Sequence, residues 1–281
     1  MNTCLVVLNY NDAINSLNVI NYGIDNNLFS NYVVVDNCSS EQDKKMLVNK
    51  LPDQVVLIEN DSNLGYSIGH NIGLKYAVSN FESDYIFIIV SDIIYNIDCV
   101  RNCLCLIERN EDIGAISCRI KNVKGEEEES CWKYPTYMEY VRWCYPFFRI
   151  KKNINDYPLR QDESSFDYVD VIRGSFMCFR KEALVCCDYF DENGFLYNEE
   201  NIISMRLKKC GYKMAVVRDC YYIHNHVNKE YIKKNTFKDI CESASSGPYF
   251  MKEYCGIYGL KYIILKISTF FLCVMRYIKN I

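Results

Sequence analysis

The sequence predicts an α/β protein whose mainly parallel sheet carries helices on both faces. Four short apolar runs rich in β-branched residues have the length of buried strands, and each stops at Asn or Asp. The runs occupy residues 3–9, 32–37, 55–60 and 85–92. The stretches between them, such as 12–29 and 41–50, are long enough for the crossover helices that parallel neighbours require.

Length and composition fit a soluble globular protein. The 281 residues suffice for one large domain or two small ones, with 49% apolar and 24% charged residues. The net charge of −4 gives no reason to expect a nucleic-acid partner. The chain enters an apolar run without a basic segment before it, which predicts no signal peptide. The 16 cysteines form no C-x-x-C pair, so we expect buried free thiols in the reducing cytoplasm.

Ligands of such sheets bind beyond the carboxyl ends of the strands, so the polar residues that end the runs are the first candidates. These residues are Asn9, Asp36, Asn37 and Asp92. The turn after the first run, NYNDAIN, has no glycine and the chain has no P-loop, which argues against dehydrogenases and kinases. Taken by itself, Asp36 could equally well bind the ribose or base edge of a ligand or cap the turn formed by DNCSS.

Three glycines at four-residue spacing, Gly65, Gly69 and Gly73, give residues 63–77 one smooth helix face. Each glycine costs a helix about 0.8–1 kcal/mol relative to alanine. That cost implies a close approach by either the sheet or the phosphates of a ligand. Asn63 is predicted to cap the helix, and Asn71 lies farther along it.

In the second half of the chain, residues 171–184 predict a strand, a glycine-containing kink and the start of a helix. Another helix follows the adjacent acids Glu199 and Glu200, with an apolar stripe at helical spacing and Gly211 as its stop.

A last apolar run, residues 213–227, predicts a strand that carries His224 and His226 near its end. Two residues apart in a strand, the two imidazoles would share one face of the sheet.

Taken in order, these motifs resemble the family-two glycosyltransferases, in particular the branch of bacterial rhamnosyltransferases and related polysaccharide-assembly enzymes. The motifs are NYND, VVVDNCS, NLGYSIGHNIG, an Asp after an apolar strand, RGSFMCFRKEAL, FDENGFLYNEEN and a late His. The resemblance covers residues 3–228 and implies a GT-A domain over residues 1–228. Its nucleotide-sugar half would be 1–100 and its acceptor and catalytic half 101–228, followed by a helical, basic amphipathic extension at 229–281.

The resemblance also implies roles for single residues. Glu200 would match the catalytic base and Glu199 its acidic neighbour. Asp92 and His224 would hold a divalent cation, Mg²⁺ or Mn²⁺, with His226 as the alternative to His224. The residues expected to bind the donor, a nucleotide-diphosphate sugar, are Asn9, Tyr10, Asp36, Asn63, Gly65, Asn71, Ser91, Asp92, Arg173, Gly174 and Arg206.

Two positions depart from the family pattern. The family commonly has an acid or Asn two residues before Asp92, where this chain has Val90. The family also tends to have a further acid where this chain has Ile202. The first departure leaves few ligands for a metal, and the second concerns the acceptor side.

The chemistry of sugar transfer accounts for the two adjacent acids. Loss of the nucleotide diphosphate leaves negative charge that a divalent cation offsets. The acceptor hydroxyl needs a base, which would be Glu200, while Glu199 orients the acceptor or complements the helix end. Attack on the face opposite the leaving group inverts the anomeric centre. The alternative is that both acids are solvated residues of a first helical turn.

Two further segments have less specific patterns. Residues 124–130, KGEEEES, predict a solvated turn between strands. Residues 131–148 are dense in aromatics, with Tyr137, Tyr140, Val141 and Cys144 on one helix face. That face suits core packing, and sugar stacking or an apolar surface turned to the membrane are the functional alternatives.

The tail from 251 to 281 contains five Lys or Arg residues and one Glu. Only nine residues separate Lys266 from Arg276, too few to span a bilayer, which takes about 20. We therefore expect a basic amphipathic helix on the inner face of the cell membrane. A helix that closes the protein's own core and a homodimer contact are the alternatives.

The sequence thus predicts an inverting glycosyltransferase, moving a hexosyl or deoxyhexosyl group to a glycan hydroxyl in surface polysaccharide synthesis. The resemblance implies an acceptor of the lipid-linked kind. One alternative is a degenerate family member that binds a sugar nucleotide or a partner. Another is a sugar nucleotidyltransferase, although the loop at 9–16 lacks the Lys or Arg that its phosphate chemistry requires.

Overall fold

A computed structural model describes residues 1–145, 164–193, 198–225 and 236–280. The strands are β1 (Thr3–Asn9), β2 (Asn31–Asp36), β3 (Val55–Glu59), β4 (Tyr85–Ile89), β5 (Ile93–Ile94), β6 (Ile113–Asn122), β7 (Glu127–Glu128), β8 (Cys131–Trp132), β9 (Phe166–Val169), β10 (Val171–Ile172), β11 (Phe176–Arg180) and β12 (Lys213–His224). The helices are α1 (Ala13–Asp25), α2 (Glu41–Lys50), α3 (Gly65–Asn80), α4 (Ile97–Arg109), α5 (Tyr137–Trp143), α6 (Lys181–Cys186), α7 (Glu199–Lys209), α8 (Phe237–Glu253) and α9 (Gly259–Asn280).

Ten strands form one mixed sheet in the order β3-β2-β1-β4-β11-β6-β12-β5, with β7 and β9 beside β6 and β12. The pairs β1–β2, β1–β4, β2–β3 and β6–β12 are parallel. Strand β11 runs antiparallel between β4 and β6, and β8 pairs with β10 in a separate two-stranded sheet. The predicted α/β class with a mainly parallel sheet is confirmed.

Alternating residues of the central strands feed two cores, one on each face of the sheet. Leu5, Val7 and Val34 are buried in the core on one face, and Val6 and Val35 in the core on the other. A strand buried on both faces is apolar at every position. This explains why the first runs were continuous rather than alternating in the sequence.

The predicted strand at 85–92 and the predicted kink at 171–184 were partly wrong. Strand β4 ends at Ile89, and residues 90–92 lead into β5, which pairs with β12. The kink is followed by strand β11 before helix α6 begins. Strand β11 is short and buried on both faces, and periodicity cannot separate such a run from a buried helix.

The glycine face of α3 packs directly on the sheet. A Cβ atom at Gly69 would lie 2.6 Å from Leu8 Cδ1, and one at Gly73 would lie 2.5 Å from Val6 Cγ1. Sheet packing is therefore the reason for these two glycines. The predicted cap was wrong, because Leu64 occupies the N-cap position, although Asn63 Oδ1 accepts a hydrogen bond from the Gly65 backbone N–H at 2.9 Å.

Substitution of Gly73 by alanine should lower the free energy of unfolding by about 1–3 kcal/mol, because the new methyl group overpacks the helix–sheet contact. Urea unfolding measures the effect. Ser79→Ala, at an exposed position of the same helix, is the matched control and should be neutral or slightly stabilising. Equal stability of the Gly73 variant and wild type would contradict this account of the glycine face.

All 16 cysteines are free thiols and ten of them are buried, which confirms the expected role of cysteine as a small core residue. The solvated turn predicted at 124–130 is present only at its start, with Gly125 at φ +81 between β6 and β7, because residues 127–128 form β7 and Ser130 is buried.

Helices α8 and α9 pack beside α5 and α7 and bury a small core of their own. The buried members of this core include Ile202, Phe250 and Leu265. Tyr140 and Val141 of α5 pack against it, as predicted for that helix face. The opposite side of α9 is exposed, with Ile263 at 54%, Ile267 at 61% and Phe270 at 60%. In the described part of the chain, no helix has the length and apolarity needed to cross a membrane.

Candidate active site

The carboxyl ends of β1 and β2 are joined by a buried polar network. Asn9 and Asp36 are partners in the strand register, and Asn9 Nδ2 donates to Asp36 Oδ1 at 2.9 Å. The other oxygen of Asp36 accepts from the Ser39 backbone N–H at 3.1 Å. Both side chains are fully buried. The hydrogen bond from Asn9 therefore holds the Asp36 carboxylate below the surface, at the carboxyl end of β2.

The rim above this network is formed by the loop before α3. Asn37 Nδ2 donates to Asn63 Oδ1 at 2.9 Å and to the Gly65 carbonyl at 3.1 Å, which holds the loop against the end of β2. Asn63 and Tyr10 are exposed at this edge of the sheet. They lie where a ligand above Asp36 could contact them, and their predicted donor contacts stay predictions.

The end of β4 is tied to the turn after β1. Ser91 Oγ donates to Asp12 Oδ2 at 2.6 Å. The neighbouring Asp92 lies beside His224, with 3.5 Å between Asp92 Oδ2 and His224 Nε2. Pairing of β5 with the end of β12 brings these two residues together.

Asp92 and His224 offer one carboxylate oxygen and one imidazole nitrogen toward each other. This donor set suits Mn²⁺, because imidazole is a poorer ligand for Mg²⁺. Val90 provides no third ligand, since its side chain packs on the core and its backbone N–H donates to the Ser175 carbonyl at 3.0 Å. The two residues would fit a divalent cation whose remaining ligands would have to come from a bound molecule and water. His226 lies outside the described residues.

The paired acids begin helix α7. Asn198 precedes them in the left-handed region at φ 67, which asparagine tolerates better than most residues. Glu200 Oε1 accepts a hydrogen bond from the Gly174 backbone N–H at 3.3 Å. The Gly174 carbonyl in turn accepts from Tyr66 Oη at 2.6 Å.

Position 174 leaves little room for a side chain. A Cβ atom there would lie 2.9 Å from Tyr66 Oη and 3.1 Å from Glu200 Oε1. The Oγ atom of the next residue, Ser175, lies 2.8 Å from Tyr222 Oη, within hydrogen-bond distance. Tyr222 lies two residues before His224 on the same strand. The chain between β10 and β11 therefore links Glu200 to the strand end that carries His224.

Burial raises the pKa of both acids. The pKa of Glu199 is raised to about 8, by desolvation first and by the charge of Glu200 second. Desolvation also raises the pKa of Glu200, although its own helix N–H and the Arg173 guanidinium act in the opposite direction. Two neighbouring carboxyls with raised pKa values titrate as a coupled pair, and a general base acts in the deprotonated form of such a group.

A cavity of about 540 Å³ opens in front of Glu200. Its near wall includes Glu200, Arg173 and Trp132, and its far wall is made by α5, α8 and α9. Arg173 donates to the Glu129 carbonyl, and its guanidinium lies 5.4 Å from the Trp132 ring centroid. The guanidinium of Arg173 is also close enough to Glu200 for its charge to act on the pKa of that acid, so the predicted cation lies beside the paired acids.

Asn71 and Arg206 are used in contacts within the protein. Asn71 Oδ1 accepts from the Phe190 N–H at 3.0 Å and its Nδ2 donates to the Phe190 carbonyl at 2.9 Å. Arg206 pairs with Asp188 at 3.0 Å, and six residues of helix place it about 9 Å along the axis from Glu200. Their predicted donor contacts stay predictions, with structural roles beside them.

Three site residues were missed by sequence reasoning. Tyr66 lies within NLGYSIGH and Asp12 within NYND, so both stood inside quoted motifs without a role. Trp132 belongs to the aromatic stretch for which sugar stacking was one alternative. The signal was present in each case, but the partners across the sheet were not visible in the sequence.

Comparison with known proteins identifies the family of the chain. The family model described as glycosyltransferase-like family 2 matches residues 4–238. The chain is 26% identical over 234 residues to the low-salt glycan biosynthesis hexosyltransferase Agl10 of Haloferax volcanii, covering 80% of this chain and 71% of the relative. It is 25% identical over 177 residues to the rhamnosyltransferase WbbL of Escherichia coli K12, covering 60% of this chain and 65% of that protein.

A solved structure shares the fold. The crystal structure of GalNAc-T7 with UDP, GalNAc and Mn²⁺ superposes with a TM-score of 0.60 at 13% identity, over 86% of this chain. The chain spans 47% of that protein's length. The expected GT-A fold is thereby confirmed, and the match over residues 4–238 shows that the chain is a member of glycosyltransferase-like family 2.

Proposed function

We propose that the protein is an inverting glycosyltransferase that transfers a sugar from a nucleotide-diphosphate donor to a glycan hydroxyl. The observation that supports this most is the convergence of two groups at one edge of the sheet. Asp92 lies beside His224, and Glu200 is held by Gly174, which leads through Ser175 to Tyr222 of the same strand. A diphosphate and an acceptor hydroxyl would be handled by these two groups.

The donor would enter over the ends of β1 and β2. Tyr10 and Asn63 would contact the base or ribose at the rim, and Asp36, fully buried beneath them and held by Asn9 and the Ser39 N–H, would support that end of the pocket. A hexose or deoxyhexose is the expected sugar, because the two relatives are named a hexosyltransferase and a rhamnosyltransferase.

Asp92 and His224 would hold the divalent cation, which when bound offsets the charge of the departing diphosphate. The solved relative that contains UDP also contains Mn²⁺, which supports that ion here. Arg173 would add positive charge close to Glu200.

Glu200 would take the proton of the acceptor hydroxyl as it attacks the anomeric carbon. Its carboxylate is aimed by the Gly174 N–H, and Tyr66 fixes the Gly174 peptide from its other side. Glu199, whose pKa is about 8, would hold a proton at neutral pH and keep the pair from carrying two charges. Attack from the Glu200 side, opposite the diphosphate, inverts the anomeric centre.

A degenerate, binding-only family member is the second candidate, and Val90 favours it. The side chain at this position packs on the core, so the usual additional acid has no counterpart there. A hydrolysis assay separates the two candidates, because an active site slowly releases nucleotide diphosphate even without acceptor.

The proposed function is tested by screening nucleotide sugars by thermal shift, with and without Mn²⁺, followed by hydrolysis of the best donor. We expect one donor to raise the melting temperature only when Mn²⁺ is present, and to be hydrolysed. Donor binding without hydrolysis by wild-type protein, with or without membrane extract as acceptor, would support the binding-only candidate. No stabilisation by any nucleotide sugar would overturn the proposal.

We further propose that α9 docks on the inner face of the cell membrane and brings the enzyme to a lipid-linked acceptor. Its outer side exposes Ile263, Ile267 and Phe270, while Leu265 and Leu272 on its inner side are buried. An apolar stripe flanked by Lys and Arg fits an anionic lipid surface.

The double variant Ile267→Asp, Phe270→Asp should lose most binding to vesicles of phosphatidylcholine and phosphatidylglycerol, measured by co-sedimentation. Val48→Asp, at an equally exposed apolar position on α2, should bind like wild type. Unchanged vesicle binding by the double variant would refute the membrane face. A dimer in solution that the same double variant splits would show a subunit contact instead.

A further inference from the structure

The cavity in front of Glu200 is completed by a part of the chain that lies outside the matched family region. Residues 4–238 match the family model, whereas most of α8 and all of α9 follow that region. The far wall nevertheless contains Ser243 and Gly247 from α8 and Thr269 and Arg276 from α9.

The described lining of the cavity contains Glu200 but none of the strand-end residues proposed for the donor. Glu200 lines the cavity, but among the described lining residues there is none from the ends of β1, β2 or β4, where Asn9, Asp36 and Asp92 lie. A general base must reach the hydroxyl that it deprotonates. Since the base faces the cavity, the molecule that offers the hydroxyl belongs there.

The lining has the character of a saccharide site. Trp132 and Trp143, on β8 and at the end of α5, both contribute to it, and they are the only two tryptophans in the chain. Asn198, Asn201 and Ser246 also line the cavity, and their side chains are joined to one another and to Trp132 Nε1 by hydrogen bonds. Aromatic faces with a few placed polar groups are typical of small-molecule pockets of this size.

Arg276 holds one of the indoles in place. Its guanidinium lies 4.8 Å from the centroid of the Trp143 ring, a cation–π contact that joins α9 to α5. Within the described residues, Arg276 has no ion-pair partner, so this stacking is the contact that orients it. The Trp143 side chain is still 46% exposed, which leaves indole surface for a ligand.

We infer that the acceptor saccharide binds in this cavity and stacks on Trp143 and Trp132, and that α8 and α9 complete the acceptor site. The inference rests on the proposed function, because it names the second substrate of the same reaction. Helix α9 thereby has two roles, one side of it forming the acceptor cavity and the other exposed to the proposed membrane surface. Arg276 acts as a positioning residue for Trp143.

The test separates transfer from donor hydrolysis in the full-length protein. The donor is the nucleotide sugar selected by thermal shift, and the acceptor probe is a chloroform–methanol extract of membranes from the organism that encodes the chain. Trp143→Ala removes the stacking surface, and Ser243→Trp fills the cavity from α8. Met138→Ala on α5 and Ser245→Trp on α8 are matched controls at exposed positions that do not line the cavity.

Trp143→Ala and Ser243→Trp should lower transfer to the extract by about tenfold or more, an effect of about 1.4 kcal/mol, while donor hydrolysis stays within about twofold of wild type. Arg276→Gln should raise the KM for acceptor more than it changes kcat. Both control variants should transfer like wild type. Unchanged transfer by both cavity variants would overturn the inference. So would equal loss of transfer and hydrolysis with an unchanged melting temperature, because the cavity would then serve the donor.

Tryptophan fluorescence gives an independent measurement, since both tryptophans line the cavity. The extract should protect the emission from acrylamide quenching, and the donor with Mn²⁺ alone should protect it much less. If the donor with Mn²⁺ alone protects the emission as strongly as the extract does, the donor occupies the cavity and the inference is wrong. Absence of both hydrolysis and transfer in the wild-type protein would instead overturn the proposed function.

Discussion

Glu200→Gln should lose sugar transfer by about 10²–10⁴-fold and still bind the donor, because glutamine keeps the size of the side chain and removes the base. Glutamine Oε1 can still accept the Gly174 N–H, so the local backbone should be preserved. Transfer is followed with the donor in excess, and donor binding by thermal shift in the presence of Mn²⁺. The variant should melt no lower than wild type, since it removes a half-buried charge whose desolvation raises the pKa of Glu200.

Glu182→Gln is the matched control for this change. Glu182 is also an acid in the first turn of a helix, α6, but it is exposed and does not line the cavity. It should leave transfer and melting temperature unchanged. Transfer by Glu200→Gln at a rate close to wild type would show that another group deprotonates the acceptor. Glu199→Gln should cost less, because that residue does not contact Gly174.

The pH dependence of transfer should follow the loss of the first proton from the pair. A base acts when deprotonated, so the rate should rise with pH as the pair loses its first proton, and it should fall toward acidic pH. Replacing Glu199 by Gln should leave this rise in place, because Glu199, whose pKa is about 8, is still protonated and uncharged when Glu200 loses its proton. A rise that moves in that variant would show that Glu199 itself loses the proton on which transfer depends.

The front of the fold could be predicted because its information is local. Strand β1 has the bounds expected from the sequence. Helix α2 occupies residues 41–50, the stretch expected to form a crossover helix. Strand β11 could not be separated from its helical continuation, because an apolar run buried on both faces has no period. The sheet that places β11 between β4 and β6 is a long-range property.

The site could be predicted only in part for the same reason. The pairing of Asp92 with His224 depends on β5 lying beside β12, and the family resemblance implied it where spacing could not. Gly174 lies against Glu200, a contact that spacing alone did not indicate, and its expected donor contact stays a prediction. The cavity was beyond prediction, because its walls come from α5, α8 and α9, whose packing depends on tertiary contacts between distant segments.

Asp92→Asn should abolish the Mn²⁺-dependent part of donor stabilisation and lower transfer by about 10²-fold or more. The reason is the small number of proposed protein ligands, one carboxylate from Asp92 and one imidazole from His224, to which Val90 would add none. A metal that offsets leaving-group charge contributes several kcal/mol, and each 1.36 kcal/mol is about tenfold in rate. Asparagine keeps the shape of the side chain but not its charge, so the loss isolates the electrostatic part.

The matched control is Asp98→Asn, an exposed acid in the first turn of α4 only six residues along the chain. It should keep the Mn²⁺ response and the transfer rate. His224→Gln should weaken Mn²⁺ binding less than Asp92→Asn, because a neutral ligand contributes less than a charged one to holding a divalent cation. A Mn²⁺ response that survives in Asp92→Asn would mean that the cation is held elsewhere, and the pair of Asp92 and His224 would then serve only to join β5 and β12.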